Sequence, residues 1–187
     1  SKDELIHGSV ETLSLETQPG PVAIAREWRL RQSPNRSYEV VVDALTGDLG
    51  PDGPALDRLA SDGSVVQSAL GATGGSSRSL RWENGFTAVD EQRIRVQSRG
   101  CILDCDAADR FRVRLLETTL FGARFNNSAT QVTVVVVEDA GAEAVNAHLY
   151  FWSGAGVLLH SHAVSLHPHG MLVFNTSTQP ALQGQAG

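Results

Sequence analysis

Cysteine, methionine and lysine are scarce in this chain of 187 residues, which contains two cysteines, one methionine and one lysine. Two cysteines cannot supply four zinc ligands, and no histidine flanks them, so a structural zinc site of that kind is excluded. Long apolar runs are also missing. The longest, VTVVVV at 132–137, has the length of a strand, so the sequence predicts no membrane span. The net charge of −6 argues against a dedicated nucleic-acid binder, which is normally basic.

Catalytic motifs are missing as well. The sequence has no G-x-S-x-G elbow, no H-E-x-x-H pair, no phosphate-binding Walker loop and no Cys–His arrangement. A Ser-His-Asp triad can be assembled from scattered residues in any chain of this size, so its possibility indicates nothing. The sequence therefore predicts a protein without enzymatic activity.

Short β-branched and aromatic runs, separated by turns, are what the sequence does contain. The clearest are 37–43, 92–98, 109–117, 130–138, 145–153 and 170–177. Such runs without a convincing helix predict an all-β fold. We expect an antiparallel β-sandwich of jelly-roll or immunoglobulin-like type, followed by a smaller β-unit. The segment 22–30 fits a strand, with a short helix as the alternative.

Three parts are expected along the chain: an arm or edge strand at 1–21, a β-sandwich at 22–120, and a second β-unit at 121–187. The second unit has about four strands where a sandwich needs about seven. It is therefore either incomplete, or it shares a sheet with the first unit or with another chain. Its apolar residues predict that one sheet face packs on a partner from outside the sheet. These residues are Leu149, Phe151, Val157, Leu159, Leu172 and Phe174.

Several segments are similar to known bacterial modules. SYEVVVDALTGDLG (37–50), ALDRLASDGSVV (55–66), SRSLRWEN (77–84), EQRIRVQSRGC (91–101) and DRFRVRLLETT (109–119) together resemble the bacterial pre-peptidase C-terminal domain. RFNNSATQVTVVVVEDAG (124–141), LYFWSGAGVLL (149–159) and HPHGMLVFNTS (167–177) resemble a module of uncharacterised exported bacterial proteins. Neither resemblance carries catalytic residues. Both imply export, β-sandwich folds and an accessory role beside enzymes, adhesins or surface structures.

The two cysteines, Cys101 and Cys105, are separated by three residues. The simplest interpretation is a small disulfide ring that pins a hairpin loop, which implies an oxidising compartment and a location outside the cell or on its surface. Two free thiols in a cytosolic protein are the alternative.

Two groups of residues could hold metal ions. His160, His162, His167 and His169 crowd one predicted hairpin and could present imidazoles to Zn²⁺ or Cu²⁺. The alternative is a set of solvated histidines on the polar face of an edge hairpin, opposite Leu159, Ser161 and Ala163. Asp43, Asp48 and Asp52 surround a Gly-rich loop and could bind Ca²⁺, which members of the pre-peptidase family can bind. Ordinary turn chemistry of aspartate is the alternative there.

Arginines alternate along two predicted strands. Arg93 and Arg95 lie on one, and Arg110, Arg112 and Arg114 on the other. If the strands pair, five guanidinium groups share an outer face that could bind an anionic glycan or a neighbouring subunit. Cross-strand ion pairs with Glu39, Glu83 and Glu91 are the alternative.

Two functions remain open from the sequence. The first is a structural or adhesive surface protein, a subunit of an extracellular assembly that associates with itself or with surface proteins; unpaired strand edges such as VTVVVV support it. The second is an accessory module of a secreted enzyme that binds a carbohydrate or a metal. The histidine hairpin and the acidic loops support that alternative.

Overall fold

The computed structural model describes residues 3–14, 25–46, 54–69, 77–85, 88–98, 110–122, 124–128 and 130–187. These ranges contain β-strands and two short 3-10 turns, so the predicted all-β, sandwich-type fold is confirmed. No helix within them is long and apolar enough to cross a membrane. The segment that allowed either a strand or a helix forms a strand from Ala25 onward.

The strands in chain order are β1 (Glu4–Leu5), β2 (Val10–Ser14), β3 (Ala25–Gln32), β4 (Arg36–Thr46), β5 (Pro54–Leu59), β6 (Val65–Ala69), β7 (Ser77–Asn84), β8 (Asp90–Ser98), β9 (Arg110–Glu117), β10 (Val134–Glu138), β11 (Val145–Trp152), β12 (Leu158–Leu166) and β13 (Met171–Asn175). The 3-10 turns span Thr176–Thr178 and Pro180–Leu182.

The chain forms two compact units, Ser1–Leu120 and Phe121–Gly187. The first unit contains a five-stranded sheet in the order β1-β3-β8-β5-β6 and a four-stranded sheet in the order β2-β9-β4-β7. All described pairings are antiparallel except that of β1 with β3. The described part of the N-terminal segment supplies β1 and β2, which lie at one edge of each sheet.

Alternation of side chains along the strands builds the core of the first unit. Tyr38, Val40 and Val42 share one face of β4 and are buried. Trp28, from the opposite sheet, meets Phe111 edge to face at 6.5 Å. The core between the two sheets consists of Leu5, Trp28, Leu30, Tyr38, Val40, Val42, Leu56, Leu80, Ile94, Val96, Phe111, Val113 and Leu115.

A tight turn joins β5 to β6, as the Asp-Gly sequence predicts. Gly63 has φ +87°, a conformation that an L side chain rarely adopts. The Asp62 carboxylate accepts hydrogen bonds from the backbone N–H and the hydroxyl of Ser64, at 2.9 and 2.7 Å. Sequence and backbone therefore agree at this turn.

The second unit differs from expectation in its strand pairing. Its four strands form two separate two-stranded antiparallel sheets rather than one four-stranded sheet. β11 and β12 are neighbours in the chain and pair as a hairpin. β10 pairs with the distant β13, so that Val136 lies opposite Val173. We call these pairs the inner hairpin (β11–β12) and the outer ribbon (β10–β13).

The hairpin and the ribbon bury their apolar faces against each other. Phe151 stacks on Phe174 with ring centroids 5.2 Å apart, and Phe125 meets Phe151 edge to face. Leu149, Leu159 and Leu172 pack against this cluster. The prediction that these side chains need a cover from outside the sheet is therefore wrong, because the unit covers them itself. Val157, in the same predicted set, is exposed.

The start of the second unit pairs with its last residues. Phe125 and Gly187 exchange two backbone hydrogen bonds, and Asn127 exchanges bonds with the backbone of Gln185 and Gly184. The buried Asn127 amide also donates to the carbonyl oxygens of Thr176 and Leu182, at 3.1 and 2.9 Å. Segments 125–127 and 184–187 thus lie side by side.

Candidate interaction surface

The outer ribbon presents an apolar face to solvent. Period-two alternation turns Val135, Val137, Leu172 and Phe174 inward and their neighbours outward. Val134, Val136, Met171 and Val173 are 50%, 58%, 62% and 56% exposed. Val132, just before β10, is 52% exposed. We call these five exposed residues the aliphatic face.

The ends of the aliphatic face are polar. Glu138 lies opposite Met171 at one end, and Asn175 lies opposite Val134 at the other. The Asn175 side-chain oxygen accepts hydrogen bonds from the backbone N–H and the hydroxyl of Ser177. These bonds hold the Asn175 side chain in place at that end of the face. The face is therefore uncharged along its middle and carries one carboxylate at its border.

The outward face of the inner hairpin has a different character. The Ser165 hydroxyl donates to the Asn146 side-chain oxygen, and His148 stacks on Tyr150 at 5.9 Å. Ser161 is exposed on the same face, opposite Tyr150. Within one small unit, one outward face is thus mixed and polar and the other is aliphatic, which singles out the aliphatic face as a candidate contact surface.

A sequence signal existed for the aliphatic face. A strand buried on both sides is nearly continuous in apolar residues, whereas a half-buried strand alternates. VVVV in β10 and MLV in β13 are continuous, but the unit buries only one side of each. The sequence indicates the unpaired edge of VTVVVV but not the exposure of Met171 and Val173, because a strand with one buried face was expected there.

The first two histidines of the predicted hairpin are not placed as expected. His160 and His162 share the inward face of β12 with Val164 and Leu166, so the assignment to the polar face is wrong. Their rings lie 6.1 and 4.7 Å from the Phe174 ring. These two imidazoles therefore border the apolar core of the second unit.

The other two histidines, His167 and His169, are exposed in the turn to β13. The structure thus divides the four residues between an inward strand face and a turn. Across the described ranges, no three His, Cys, Asp or Glu side chains are grouped to hold a metal ion. Zinc or copper binding here stays a prediction.

Asp43 is held by basic side chains. Its Oδ2 accepts hydrogen bonds from Arg112 and Arg114, each at 2.9 Å from Nη2, and its Oδ1 accepts one from the Ser77 hydroxyl at 2.7 Å. Two guanidinium groups so close to the carboxylate oppose a Ca²⁺ ion. Asp48 and Asp52 lie outside the described residues, and so do Cys101 and Cys105. The calcium site and the disulfide therefore stay predictions.

The Asp43 contacts predict a defined acid response. Partial burial, the largest single effect, disfavours the charged form, but hydrogen bonds from Ser77 and Arg112 and the charges of Arg114 and Arg112 outweigh it, so the pKa of Asp43 is lowered. A lowered pKa adds stability that is present above about pH 4 and is lost as the pH falls through the folded-state value. We expect Asp43→Asn to destabilise the first unit by about 1–2 kcal/mol at pH 7.

Urea unfolding of the wild type and Asp43→Asn at pH 7, 4 and 2.5 tests this response. The difference in free energy of unfolding between the two proteins should be largest at pH 7 and should shrink below pH 4. A protonated Asp43 is uncharged, as an asparagine side chain is. Other carboxylates titrate equally in both proteins, so the difference isolates Asp43. A difference in free energy of unfolding that stays constant down to pH 2.5 contradicts the prediction.

The two rows of arginines lie in different sheets. β8, with Arg93 and Arg95, belongs to the five-stranded sheet, whereas β9, with Arg112 and Arg114, belongs to the four-stranded one. The idea of five guanidinium groups on one face is therefore wrong. Arg95 contacts Asp57 at 2.7 Å and Arg93 contacts Glu27 at 3.8 Å. The structure favours the ion-pair interpretation, with Asp43, Asp57 and Glu27 as acids, while the predicted Glu39 pairs with Arg81 at 2.9 Å.

Several large aromatic side chains are engaged in packing rather than free to stack on a sugar. Trp28 and Phe151 are buried in the two cores. The Trp82 ring stacks on Tyr38 at 5.9 Å and has the Arg58 guanidinium 5.0 Å from its centroid. Its indole N–H donates to the buried Gln32 side chain. Trp82 thus works as part of the packing of the first unit, and glycan binding stays a prediction.

Comparison with known proteins gives distant structural likenesses and no sequence match. No family model matches the chain, and no curated protein matches it. Among solved structures, the pre-peptidase C-terminal domain of a collagenase from Bacillus anthracis is similar with a TM-score of 0.42 and 7% sequence identity. The match covers 60% of this chain and 92% of that one. A likeness at this level says nothing about the function of this chain, and both resemblances noted in the sequence stay predictions.

Proposed function

We propose that this protein is a non-catalytic, exported bacterial β-sandwich protein with a structural or adhesive role, and that it is a subunit of an extracellular assembly. The single observation that supports this most is the aliphatic face of the outer ribbon. The largest contiguous apolar patch on a soluble protein is often a site of contact with another molecule. The first unit then serves as the stable body that carries the contact-forming second unit.

Export rests on a separate argument. The closely spaced Cys101 and Cys105 suit a disulfide in an oxidising compartment, and both resembled modules occur in exported proteins. Protein made in such a compartment should therefore show no alkylatable thiol without prior reduction.

Size-exclusion chromatography with light scattering, combined with negative-stain microscopy of the full chain, tests the proposed role. We expect fixed oligomers or filaments whose population rises with protein concentration. A monomer at all concentrations contradicts an assembly role. A monomer that also gives a signal on a glycan array, or with Ca²⁺, Zn²⁺ or Cu²⁺ in calorimetry, supports the accessory-module alternative instead.

A further inference from the structure

We infer that the molecule that covers the aliphatic face is a second copy of this chain, with the two ribbons packed face to face about a two-fold axis. This inference rests on the proposed function and names the partner in it. The contact is isologous, meaning that the same patch is used on both copies, so it closes on itself as a dimer.

Side-chain chemistry makes the aliphatic face complementary to itself. Val134, Val136 and Val173 are β-branched and stiff, and Met171 at the border is adaptable. No charged side chain projects from the middle of the face, so two copies bring no like charges into contact there. A partner with an acidic or basic surface gains nothing from this face, whereas a second aliphatic sheet buries it completely.

The single border carboxylate selects the orientation of the two copies. If the ribbons pack in the same direction, the Glu138 side chains of both copies lie at the same end of the contact. If they pack antiparallel, Glu138 meets the end formed by Val134 and Asn175. The two carboxylates are then separated by about 14 Å along the strands, beyond the screening length of about 8 Å at physiological salt. The antiparallel arrangement therefore avoids the repulsion and is the one expected.

The area of the face sets the strength of the dimer. Five side chains that are each roughly half exposed offer about 400–500 Å² per copy, so the contact buries somewhat under about 1,000 Å² in all. That area lies in the range of weak, transient protein contacts and only slightly above that of most crystal-packing contacts. The dimer should therefore be weak and should dissociate on dilution in the micromolar range.

Charge substitutions at the centre of the face test the inference. Val136 is exposed, so Val136→Lys and Val136→Glu should leave the fold intact, as a far-UV circular dichroism spectrum checks. Sedimentation velocity over about 1–500 µM should show a reversible wild-type dimer and, for each variant alone, at least a roughly tenfold weaker one. An equimolar mixture of the two variants should recover most of the dimer, because a lysine on one copy then faces a glutamate on the other across the axis.

Ser161→Lys, on the outward face of the inner hairpin, is the matched control and should dimerise like the wild type. Wild-type oligomers that resist both Val136 variants overturn this inference but leave the assembly role standing. A wild-type monomer throughout the concentration range overturns both, and points to a partner other than a second copy or to no partner. Recovery in the mixture is the result that a merely destabilised second unit cannot produce.

Discussion

Phe174→Ala should unfold the second unit while the first unit stays folded. Phe174 belongs to the small buried cluster at the core of its unit, and its ring contacts Phe151, His160 and His162. Truncation of a buried phenylalanine costs about 3–5 kcal/mol. A unit of this length has a total free energy of unfolding of about 3–10 kcal/mol. The cost of removing the Phe174 ring is therefore comparable with the total stability of the unit.

Amide NMR spectra of the full chain can separate the two units. In Phe174→Ala, signals from 121–187 should collapse to the narrow range of an unfolded chain, whereas those from the first unit should keep their dispersion. Val173→Ala, one residue earlier on the outward face, is the control and should change stability by no more than about 0.5 kcal/mol. Dispersed second-unit signals in Phe174→Ala would show that the phenylalanine cluster is not what holds this unit together.

Asp57→Ala should destabilise the first unit by about 2 kcal/mol. Asp57 is 3% exposed although it lies on the outward face of its sheet. Its Oδ2 accepts two hydrogen bonds from Arg95, at 2.7 and 3.2 Å, and its Oδ1 accepts one from Ser68 at 2.6 Å. Removal of the carboxylate leaves the partly buried Arg95 guanidinium and the exposed Ser68 hydroxyl without their partner.

Glu27→Ala provides the matched control, because Glu27 pairs with Arg93 in the same sheet. That pair is longer, at 3.8 Å, and both side chains are largely solvated. An exposed pair contributes about 0–1 kcal/mol, so its loss should be small. Urea unfolding of the two variants gives the comparison. If Asp57→Ala and Glu27→Ala lower the free energy of unfolding equally, then the burial of an ion pair does not determine how much stability its removal costs.

Local sequence patterns are sufficient to predict those features of the fold that depend on residues adjacent in the chain. Alternation predicts that Tyr38, Val40 and Val42 share one face of β4, which the structure shows to be buried, and the Asp62-Gly63 sequence predicts the turn between β5 and β6. Both features follow from the two-residue period of a strand and from backbone preferences.

Pairing between distant strands was not predictable in the same way. Nothing in the sequence of β10 shows that its partner is β13 rather than β11, so one expected sheet became two. The histidine face was misassigned because both alternating sets in β12 contain apolar residues. Val164 and Leu166 have the same parity as His160 and could have indicated the inward face. A bulge beside Phe151 further disturbs the alternation at the start of β12.

The pairing of β10 with β13 also has a consequence for biosynthesis. β10 leaves the ribosome about 30–40 residues before its partner, which at about 5–20 residues per second is a delay of about 2–8 seconds. The hairpin of β11 and β12 can close within microseconds of emerging, because its strands are adjacent in the chain. Throughout the delay, the valine run has neither its strand partner nor the core to cover it.

A nascent strand of this composition is the kind that captures neighbouring chains, since it has high β-propensity, no proline and a single charge at its end. Crowded polysomes would favour such encounters, and so would slow translation between codons 138 and 171. The yield of soluble protein should therefore depend on how fast that interval is translated and on the chaperones present, even though the finished fold would show no sign of this dependence.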